Sequence, residues 1–321
     1  MSKVIGVLTS GGDAPGMNAV VRAIVRCGLS KGHKILGVDR GYEGLMNNEI
    51  EEMKSHSVSD VIGRGGTILQ SARSKQFMTE EGVMQAVNVI KANSMDALIV
   101  IGGDGSFKGA RELAKKGINV IGIPGTIDLD IDCTDYTIGF DTAVNTAMEA
   151  IEKIRDTSSS HNRCSIVEVM GRNAGYIALW CSISGGAEIT LIPEKGEPDF
   201  KDIANQVAEN KNMGKKHELI IVAEGIGKTA ELAEYIENET GITTRATILG
   251  YLQRGGRPTA IDRIHGSMMG SKAIDLIDSG VYNRIVALKN GDYVDIEINE
   301  ALNMKKDINE EMYRVAKALA Y

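Results

Sequence analysis

The sequence predicts an α/β protein whose doubly wound, mostly parallel sheets are divided between two domains. Short runs rich in β-branched residues alternate with longer amphipathic stretches along the chain, which is the pattern of buried parallel strands covered by helices. Glycine is frequent, at 37 residues, while aromatic residues make up only 4%, which favours tight strand-to-helix corners over a β-sandwich. At 321 residues, the chain exceeds the length at which a single core usually divides.

The strand-like and helix-like segments follow one another in a regular order. In the first half, "KVIGVLT", "ALIVIGG", "NVIGIPG" and "CSIVEVMG" precede predicted helices over 17–31, 106–116, 141–156 and 174–184. The second half continues with "ELIIVAEG", a helix over 229–240, "TRATILGY" and a helix over 263–279. "RIVALKNGDYVDIEI" predicts a hairpin that turns at Asn290 and Gly291, and the last helix is expected to begin near Ile308. A crossover between domains is placed near 138–140.

Charge and composition limit the classes of partner. The formal net charge is -7, so a general nucleic-acid surface is not expected and any anion site must be a local basic cluster. No apolar run reaches membrane-spanning length, and "MSKVIGVLTS" lacks a signal-peptide pattern, so we predict a cytoplasmic protein without nucleic-acid or membrane partners. The four cysteines show no CxxC spacing, which predicts reduced thiols rather than disulfides or zinc ligands.

Glycine clusters directly follow most of the apolar strands. They are "TSGGDAPGMN", "IGGDGSF", "IPGTIDLD", "VMGRNAG", "AEGIGK" and "LQRGGRP". In open α/β sheets, ligands bind outside the carboxyl ends of the strands, where loops and helix N-termini present N–H groups to phosphates. Six such corners predict a large, phosphate-rich site, although any one of them also serves as a plain turn.

Two familiar nucleotide motifs do not fit. "GIGKT" at 225–229 resembles the end of a Walker A loop, but its first glycine would fall at Val222. The same stretch matches GxGxxA, yet the next strand lacks the acidic residue that would hold a ribose.

Acidic and basic side chains at strand ends are more informative. Asp104 follows one predicted strand, and Asp128 and Asp130 follow the next. Carboxylates beside a phosphate-binding corner suit Mg-nucleotide, although roles as helix caps or turn residues remain open. Arg163, Arg172, Arg245 and Arg254 also stand at glycine corners or strand ends. Guanidinium groups match phosphate oxygens bidentately, so these arginines predict a phosphorylated substrate besides the nucleotide.

Eight stretches distributed along the chain form a recognisable set: "GVLTSGGDAPGMNA", "RGGT", "VIGGDGS", "PGTID", "TDYTIGFDTA", "RDTSSSH", "VEVMGR" and "RATILGYLQRGG". Through them the chain resembles, over essentially its whole length, the bacterial ATP-dependent 6-phosphofructokinases. The resemblance implies transfer of the γ-phosphoryl group of ATP to the 1-hydroxyl of fructose 6-phosphate in glycolysis. It also implies two Rossmann-like three-layer α/β/α domains with the active site in the cleft between them. The larger, ATP-binding domain would be 1–138 plus 251–301, and the smaller, sugar-binding domain 139–250 plus 302–321.

The resemblance also assigns roles by position. Asp128 would take the proton of the sugar hydroxyl, Thr126 would position the phosphoryl group, and Arg172 would neutralise its charge. Asp104 and Asp130 would serve Mg²⁺, directly or through water. The positions implied to hold ATP are Gly11, Tyr42, Arg73, Ser74, Gly103, Asp104, Gly105 and Ser106. Those implied to bind fructose 6-phosphate are Thr126, Asp128, Arg163, Met170, Gly171, Arg172, Glu224, Arg245, Tyr251 and Arg254.

Oligomerisation and regulation are further implications of the resemblance. Arg163 and Arg245 would cross from a neighbouring subunit to the 6-phosphate, which presupposes an oligomer, usually a homotetramer. Arg22, Arg26, Arg155, Glu188 and Lys215 match the family's pocket for activation by ADP and inhibition by phosphoenolpyruvate. Ser55 and Met213 stand where family members carry Arg and Lys, so we expect altered allostery.

Small residues distinguish ATP from pyrophosphate as the phosphoryl donor in this superfamily. Gly105 and Gly125 stand where pyrophosphate enzymes typically carry Asp and Lys, so both positions indicate ATP. Two other functions remain open: a NAD or lipid kinase that shares GGDG, and a catalytically silent sensor of nucleotide or sugar phosphate.

Three aspartates alternate with apolar residues in "IDLDID". If 127–131 is extended, Asp128 and Asp130 face one side and Leu129 faces the other. Family members carry Asn at the position of Leu129, and Tyr251 replaces a histidine. Asp132 matches no catalytic position and is expected to be a solvated loop residue.

Overall fold

A computed structural model describes residues 1–320 of the chain. Contacts within the chain divide it into two compact units. The first comprises Met1–Thr142 and Arg254–Lys306, and the second comprises Ala143–Gln253 and the segment from Asp307. Each unit has its own wholly or mostly parallel sheet and its own apolar core, so the predicted α/β class is confirmed.

Strands and helices alternate along most of the chain. The strands are β1 (Val4–Thr9), β2 (Lys34–Val38), β3 (Ile50–Met53), β4 (Ala97–Gly102), β5 (Val120–Pro124), β6 (Cys164–Val169), β7 (Ile189–Leu191), β8 (Glu218–Ala223), β9 (Thr244–Ile248), β10 (Arg284–Lys289) and β11 (Asp292–Glu297). The helices are α1 (Met17–Ser30), α2 (Gly41–Met46), α3 (Glu80–Ala92), α4 (Asp104–Lys115), α5 (Phe140–His161), α6 (Tyr176–Gly185), α7 (Phe200–Asn212), α8 (Thr229–Thr240), α9 (Ala260–Asp278), α10 (Ile298–Asn303) and α11 (Glu310–Leu319).

The first unit is built on a seven-stranded sheet in the order β11-β10-β5-β4-β1-β2-β3. The five inner strands run parallel, and the edge strands β3 and β11 run antiparallel to their neighbours. All residues of β4 are buried, as expected for a strand covered on both faces. Leu98 and Val100 pack with Phe107 of α4, while the apolar face of α1 packs against α9. The close contact of these two helices depends on Gly270, where a Cβ atom would lie 2.8 Å from the Cβ of Ala23.

The second unit contains a four-stranded, wholly parallel sheet in the order β7-β8-β6-β9. Apolar residues of β6 and β8 form one core with those of α7 and α8, including Ile166, Ile220, Val207 and Ile236. Strand β8 is buried along its whole length, whereas β9 forms an edge and exposes several of its residues. The carboxyl ends of β6 and β8 therefore carry their loops at the same edge of the sheet.

Several predicted elements have the expected bounds, and others differ at their ends. The hairpin of β10 and β11 turns at Asn290 and Gly291, whose φ angles of 52° and 89° suit a type I′ turn. Helix α5 extends beyond the predicted 141–156, and α11 begins at Glu310, two residues after the predicted start near Ile308. None of the helices formed by residues 1–320 combines the length and the apolar character that a membrane crossing requires.

Candidate active site

Three loops meet at the carboxyl edge of the first sheet because β1, β4 and β5 are neighbours. β4 pairs with both β1 and β5 in parallel. Where the strands end, the amide of Ser10 donates to the carbonyl of Ile101 at 2.9 Å, and that of Gly125 donates to the carbonyl of Gly102 at 3.0 Å. The glycine corners after these three strands are thereby held side by side.

The corner Gly103–Ser106 forms the entrance and first turn of α4. Gly103 is the N-cap residue, and no side chain caps the helix, so its first amides are oriented for an anion. Ser106 is buried, and its hydroxyl lies close to Gly11 of the first loop. A Cβ atom at Gly105 would meet nothing within 4 Å. Of the two glycines that indicate ATP, Gly105 is therefore the one that borders open space.

Gly125 has a different environment from Gly105. A Cβ atom at this position would lie 3.0 Å from Ile101 and 3.1 Å from Met17. A side chain at Gly125 would therefore need small shifts of Ile101 and Met17, whereas one at Gly105 would not.

Tyr42 supports the first turn of α4 from within the core. Its ring stacks on Phe77 with centroids 3.9 Å apart, and its hydroxyl donates to the carbonyl of Ser106 at 2.6 Å. Burial raises the pKa of the Tyr42 hydroxyl. Of the neighbouring positions assigned to ATP, Arg73 is exposed, and the hydroxyl of Ser74 accepts from the amide of Phe77. Tyr42 is thus placed to position α4 as much as to contact a ligand.

Asp128 lies in the loop that follows β5. The hydroxyl of Thr126 accepts from the amide of Asp128 at 3.2 Å, which forms a local turn of the kind that Ser and Thr stabilise. Asp128 is only 1% exposed. A β-bridge between Gly125 and Ile138 closes the base of the loop. Residues 126–138, named the catalytic loop after the role predicted for Asp128, thus form a closed excursion from the end of β5.

The expectation that 127–131 is extended is wrong. No strand continues beyond Pro124, and Leu129 has a φ of 56°, in the left-handed region. The alternation of side chains therefore breaks at Leu129, which is buried at 5% exposure. The left-handed region favours Asn over Leu, so the backbone at this position disfavours the leucine that the chain carries. Asp132 is half-buried rather than fully solvated.

Asp104 and Asp130 carry the carboxylates expected to serve a metal. Asp104 begins α4, and its carboxylate pairs with Lys108 at 2.6 Å. Among residues 1–320, no three His, Cys, Asp or Glu side chains are grouped closely enough to hold a metal ion by themselves. Mg²⁺ in nucleotide sites uses one or two carboxylates together with phosphate oxygens and water. Asp104 and Asp130 follow adjacent strands, and their binding of an ion shared with the nucleotide stays a prediction.

In the second unit, the loops after β6 and β8 are joined through one carboxylate. Glu224 accepts from the amides of Gly171 at 3.2 Å and Arg172 at 2.7 Å. Gly171 and Arg172 both have positive φ angles, of 135° and 52°, so this corner holds an unusual backbone shape. The amide of Met170 donates to the side chain of Gln253 at 2.8 Å. Met170, Gly171, Arg172 and Glu224 are therefore brought together.

Arg163 and Arg245 lie at the opposite end of that sheet. Arg163 precedes β6, whereas Met170 follows it, and a six-residue strand is about 20 Å long. Arg245 pairs in register with Ser165 near the start of β6, and its guanidinium contacts Glu237 at 3.1 Å. Within one chain, these two arginines are thus separated from the other sugar-site positions of the second unit.

Tyr251 and Arg254 lie in a short 3-10 helix after β9. Tyr251 is 83% exposed. The guanidinium of Arg254 lies against Gly12 and donates to the carbonyl of Asp13 at 3.2 Å. Arg254 therefore belongs to the edge of the first sheet, next to the loop after β1.

The predicted effector positions fall on both units. Arg22 and Arg26 lie on α1, and Arg155 donates to the carbonyls of Gly185 and Gly186. Glu188 accepts from the amide of Leu219 at 2.8 Å, and Lys215 lies 3.9 Å from its carboxylate.

A pocket of about 360 Å³ in the second unit is lined by Lys215 and by the buried side chain of Glu218. Burial and the nearby charge of Glu188 raise the pKa of Glu218 to about 7. As the first residue of an apolar strand, Glu218 carries no signal of this environment in the sequence.

Two other contributors to the site were not found from the sequence. Lys108 pairs with Asp104 across one helical turn, and a Lys four residues after an Asp is a detectable signal. Asn18 is buried and holds "RGGT": its amide nitrogen donates to the carbonyl of Arg64, and its oxygen accepts from the amide of Ile68. A buried Asn in an apolar helix carries no signal of this kind in the sequence.

Comparison with known proteins identifies the family. A model of the family described as phosphofructokinase matches residues 4–277. The chain belongs to the phosphofructokinase family. The ATP-dependent 6-phosphofructokinase of Clostridium botulinum (strain Loch Maree / Type A3) is 55% identical over 318 residues, which cover 99% of both chains. That of Clostridium novyi (strain NT) is 55% identical over 319 residues, covering 99% of this chain and 100% of the relative. The resemblance inferred from the motifs is confirmed.

Solved structures of the family have the same fold. Pichia pastoris phosphofructokinase in the T-state matches with a TM-score of 0.89 at 33% identity, and the match covers 99% of this chain and 39% of the Pichia chain. A pyrophosphate-dependent phosphofructokinase from Marinobacter aquaeolei matches with a TM-score of 0.86 at 20% identity, over 96% of this chain and 86% of that one. The second similarity concerns the fold alone.

Proposed function

We propose that the chain is an ATP-dependent 6-phosphofructokinase. It transfers the γ-phosphoryl group of ATP to the 1-hydroxyl of fructose 6-phosphate and releases ADP and fructose 1,6-bisphosphate. The observation that carries the proposal is that a phosphate-binding type of corner, Gly103–Ser106, and the buried Asp128 follow adjacent parallel strands. ATP-dependent relatives at 55% identity over the full length support it.

Asp128 serves as the general base in this proposal. Phosphoryl transfer requires mainly positioning, charge stabilisation and a group that accepts the proton of the attacking hydroxyl. The buried position of Asp128 limits its access to bulk water, which strengthens its interaction with a bound hydroxyl. Thr126, which accepts from the amide of Asp128, holds the base in place and borders the transferred group.

Two positively charged groups would neutralise the negative charge on the phosphoryl oxygens. Arg172 lies in a corner whose backbone is fixed by Glu224, so the point from which its side chain extends is held before the reaction. Removal of one such donor typically costs about 3 to 4 kcal/mol in the transition state. Mg²⁺ would be held by Asp104 and Asp130 together with the phosphates of ATP, and it supplies charge neutralisation when bound.

The separation of Arg163 and Arg245 from Met170–Arg172 supports an active site that two subunits share. Both arginines would bind the 6-phosphate of a sugar held by the neighbouring chain, within a cytoplasmic homotetramer. Mixing inactive Arg163→Ser chains with inactive Asp128→Ser chains, by denaturation and refolding, would then restore part of the activity. If the mixture stays inactive while both variants assemble normally, the sites are not shared in this way.

Allosteric control by ADP and phosphoenolpyruvate is proposed to be weaker than in family members with a full set of cations. Ser55 and Met213 supply no charge to a polyanionic effector, and Met213 is exposed. Fructose 6-phosphate saturation curves should therefore shift little when ADP is added. Sigmoidal kinetics that micromolar ADP fully relieves would contradict this part of the proposal.

A coupled assay that follows fructose 1,6-bisphosphate formation tests the activity directly. The wild-type chain should turn over with ATP and not with pyrophosphate. Asp128→Ser should lower kcat by about 10²- to 10⁴-fold, as expected for loss of a general base. Asp132→Ser, in the same loop, is the matched control and should keep turnover close to wild type. Absence of turnover in the wild-type chain, with retained binding of both ligands, would instead identify a sensor.

A further inference from the structure

Asp262 is a fully buried carboxylate that has no place in the mechanism above. It lies in the first turn of α9, three residues after the N-cap residue Thr259, and it is 0% exposed. An aspartate in a first helical turn often interacts with the helix amides of that turn. Here its side chain instead extends to another segment of the chain.

Four donors converge on the two oxygens of Asp262. Oδ1 accepts from the hydroxyl of Tyr136 and the amide of Gly139, both at 2.6 Å. Oδ2 accepts from the amide of Thr142 at 2.9 Å and from the hydroxyl of Thr142. An ionised carboxylate is an acceptor at all of its lone pairs, so a buried site made entirely of donors selects this group. Burial raises the pKa of Asp262, and these hydrogen bonds oppose the rise.

The four donors lie around the closed end of the catalytic loop: Tyr136 belongs to it, Gly139 directly follows it, and Thr142 lies in the first turn of α5. The bridge between Gly125 and Ile138 closes that loop, and the amide of Ile138 donates to the carbonyl of Pro124 at 3.0 Å. Gly139 follows with a φ of 106°. Asp262 therefore fixes the chain on both sides of the point where the loop closes.

The same segment packs against the residue that precedes Asp128. A Cβ atom on Gly139 would lie 2.7 Å from the Cβ of Ala14 and 3.2 Å from Ile127. Ala14 belongs to the glycine-rich loop after β1. The segment held by Asp262 is thus in direct contact with both loops that border the site.

We propose that Asp262 is a positioning residue for phosphoryl transfer, which holds the closed end of the catalytic loop and thereby the placement of Asp128. Asp262 does not touch the substrates. The inference rests on the proposed function, because its main readout is the phosphotransfer rate. Its physical basis is that a displacement of about 1 Å in a reacting group lowers a rate by as much as about 100-fold.

Two pairs of variants test the proposal in the full-length protein. In Asp262→Asn, the amide nitrogen faces N–H and O–H donors and cannot accept from them. We expect kcat to fall about 10- to 100-fold, with the KM values for ATP and fructose 6-phosphate nearly unchanged, because neither ligand contacts residue 262. Asp275→Asn, on the exposed part of the same helix, removes only a surface pairing with Lys31 and should leave kcat unchanged. Thr142→Val should lower kcat, whereas Thr142→Ser, which keeps the hydroxyl donor, should retain it.

Hydrogen exchange of peptides covering 126–142 provides a readout that is independent of activity. Asp262→Asn and Thr142→Val should speed exchange in these peptides and not in peptides from the second sheet. Unchanged exchange, or a kcat equal to that of the wild type, overturns the proposal. An equal loss of kcat in Thr142→Ser and Thr142→Val also overturns it. If the wild-type chain lacks phosphotransfer while exchange responds as expected, the proposed function fails, and only the structural part of the inference stands, in which Asp262 holds the closed end of the loop.

Discussion

Replacement of Leu129 by Asn should change the free energy of unfolding through two opposing effects: relief of backbone strain and loss of apolar packing. Leu129 has a φ of 56°, and this conformation costs a non-glycine residue about 1 to 2 kcal/mol. Asn tolerates the left-handed region better, so the replacement should recover about 1 kcal/mol of this strain. Leu129 is also buried, and full burial of a leucine side chain is worth about 1.5 to 3 kcal/mol.

The two effects oppose each other, so Leu129→Asn should lower the free energy of unfolding by only about 0.5 to 2 kcal/mol. Leu129→Ala is the matched control, because it loses the same buried surface while keeping most of the strain. Thermal unfolding should therefore rank wild type above Asn and Asn above Ala. In the coupled assay, Leu129→Asn should change kcat only modestly. A large fall in kcat would mean that residue 129 contacts the reacting groups. If the Asn variant were less stable than the Ala variant, the proposed backbone strain at Leu129 would be refuted.

Three further predictions concern other parts of the site. Gly105→Asp should fold as the wild type does, since a Cβ atom there meets nothing within 4 Å. The added carboxylate should repel the phosphates of ATP and raise the KM for ATP at least about 10-fold. An unchanged KM would mean that residue 105 does not border the nucleotide. Tyr42→Phe loses the hydrogen bond to Ser106 and should cost about 1 kcal/mol of unfolding free energy, seen as a lower Tm with kcat largely kept. The pKa of Glu218 is raised to about 7, so its folded form holds a proton that the unfolded form loses near pH 4.5. Glu218 should therefore lower the free energy of unfolding as pH rises from about 4.5 to 7. Glu218→Gln should raise Tm at pH 8 by about 2 °C or more and hardly change it at pH 4. An equal change in Tm at both pH values would contradict this prediction.

The fold class was predictable because buried parallel strands leave a clear pattern. β4 is a continuous apolar run, as is β8 after its first residue, Glu218. The Asn290-Gly291 hairpin follows from two residues whose left-handed φ angles suit the turn. The segments 34–53 and 80–92 were not assigned, although they form β2, β3, α2 and α3. Edge strand β3 is short and mostly exposed, so its sequence lacks the apolar run that identified the other strands.

The residues of the candidate site were predictable from the sequence, but the backbone path of the loop that carries Asp128 was not. "IDLDID" imitates a strand because its apolar and acidic residues alternate, whereas the actual loop turns at Leu129. Local periodicity carries no information about the bridge from Gly125 to Ile138 that closes this loop. The contacts of Asp262 were inaccessible for a similar reason, since its partners lie more than a hundred residues earlier in the chain.

The division of the first unit into two segments has a consequence for biosynthesis. β5 pairs with β10, and α1 packs on α9, but β10 and α9 leave the ribosome only after Ala143–Gln253 has been made. At about 5 to 20 residues per second, that delay is roughly 6 to 22 s. During this interval the nascent chain presents an unpaired strand edge at β5 and the uncovered apolar side of α1. Chains that stall or are truncated before Arg254 should therefore aggregate or engage chaperones, even though every residue of the glycine-rich corners of the first sheet has already been synthesised.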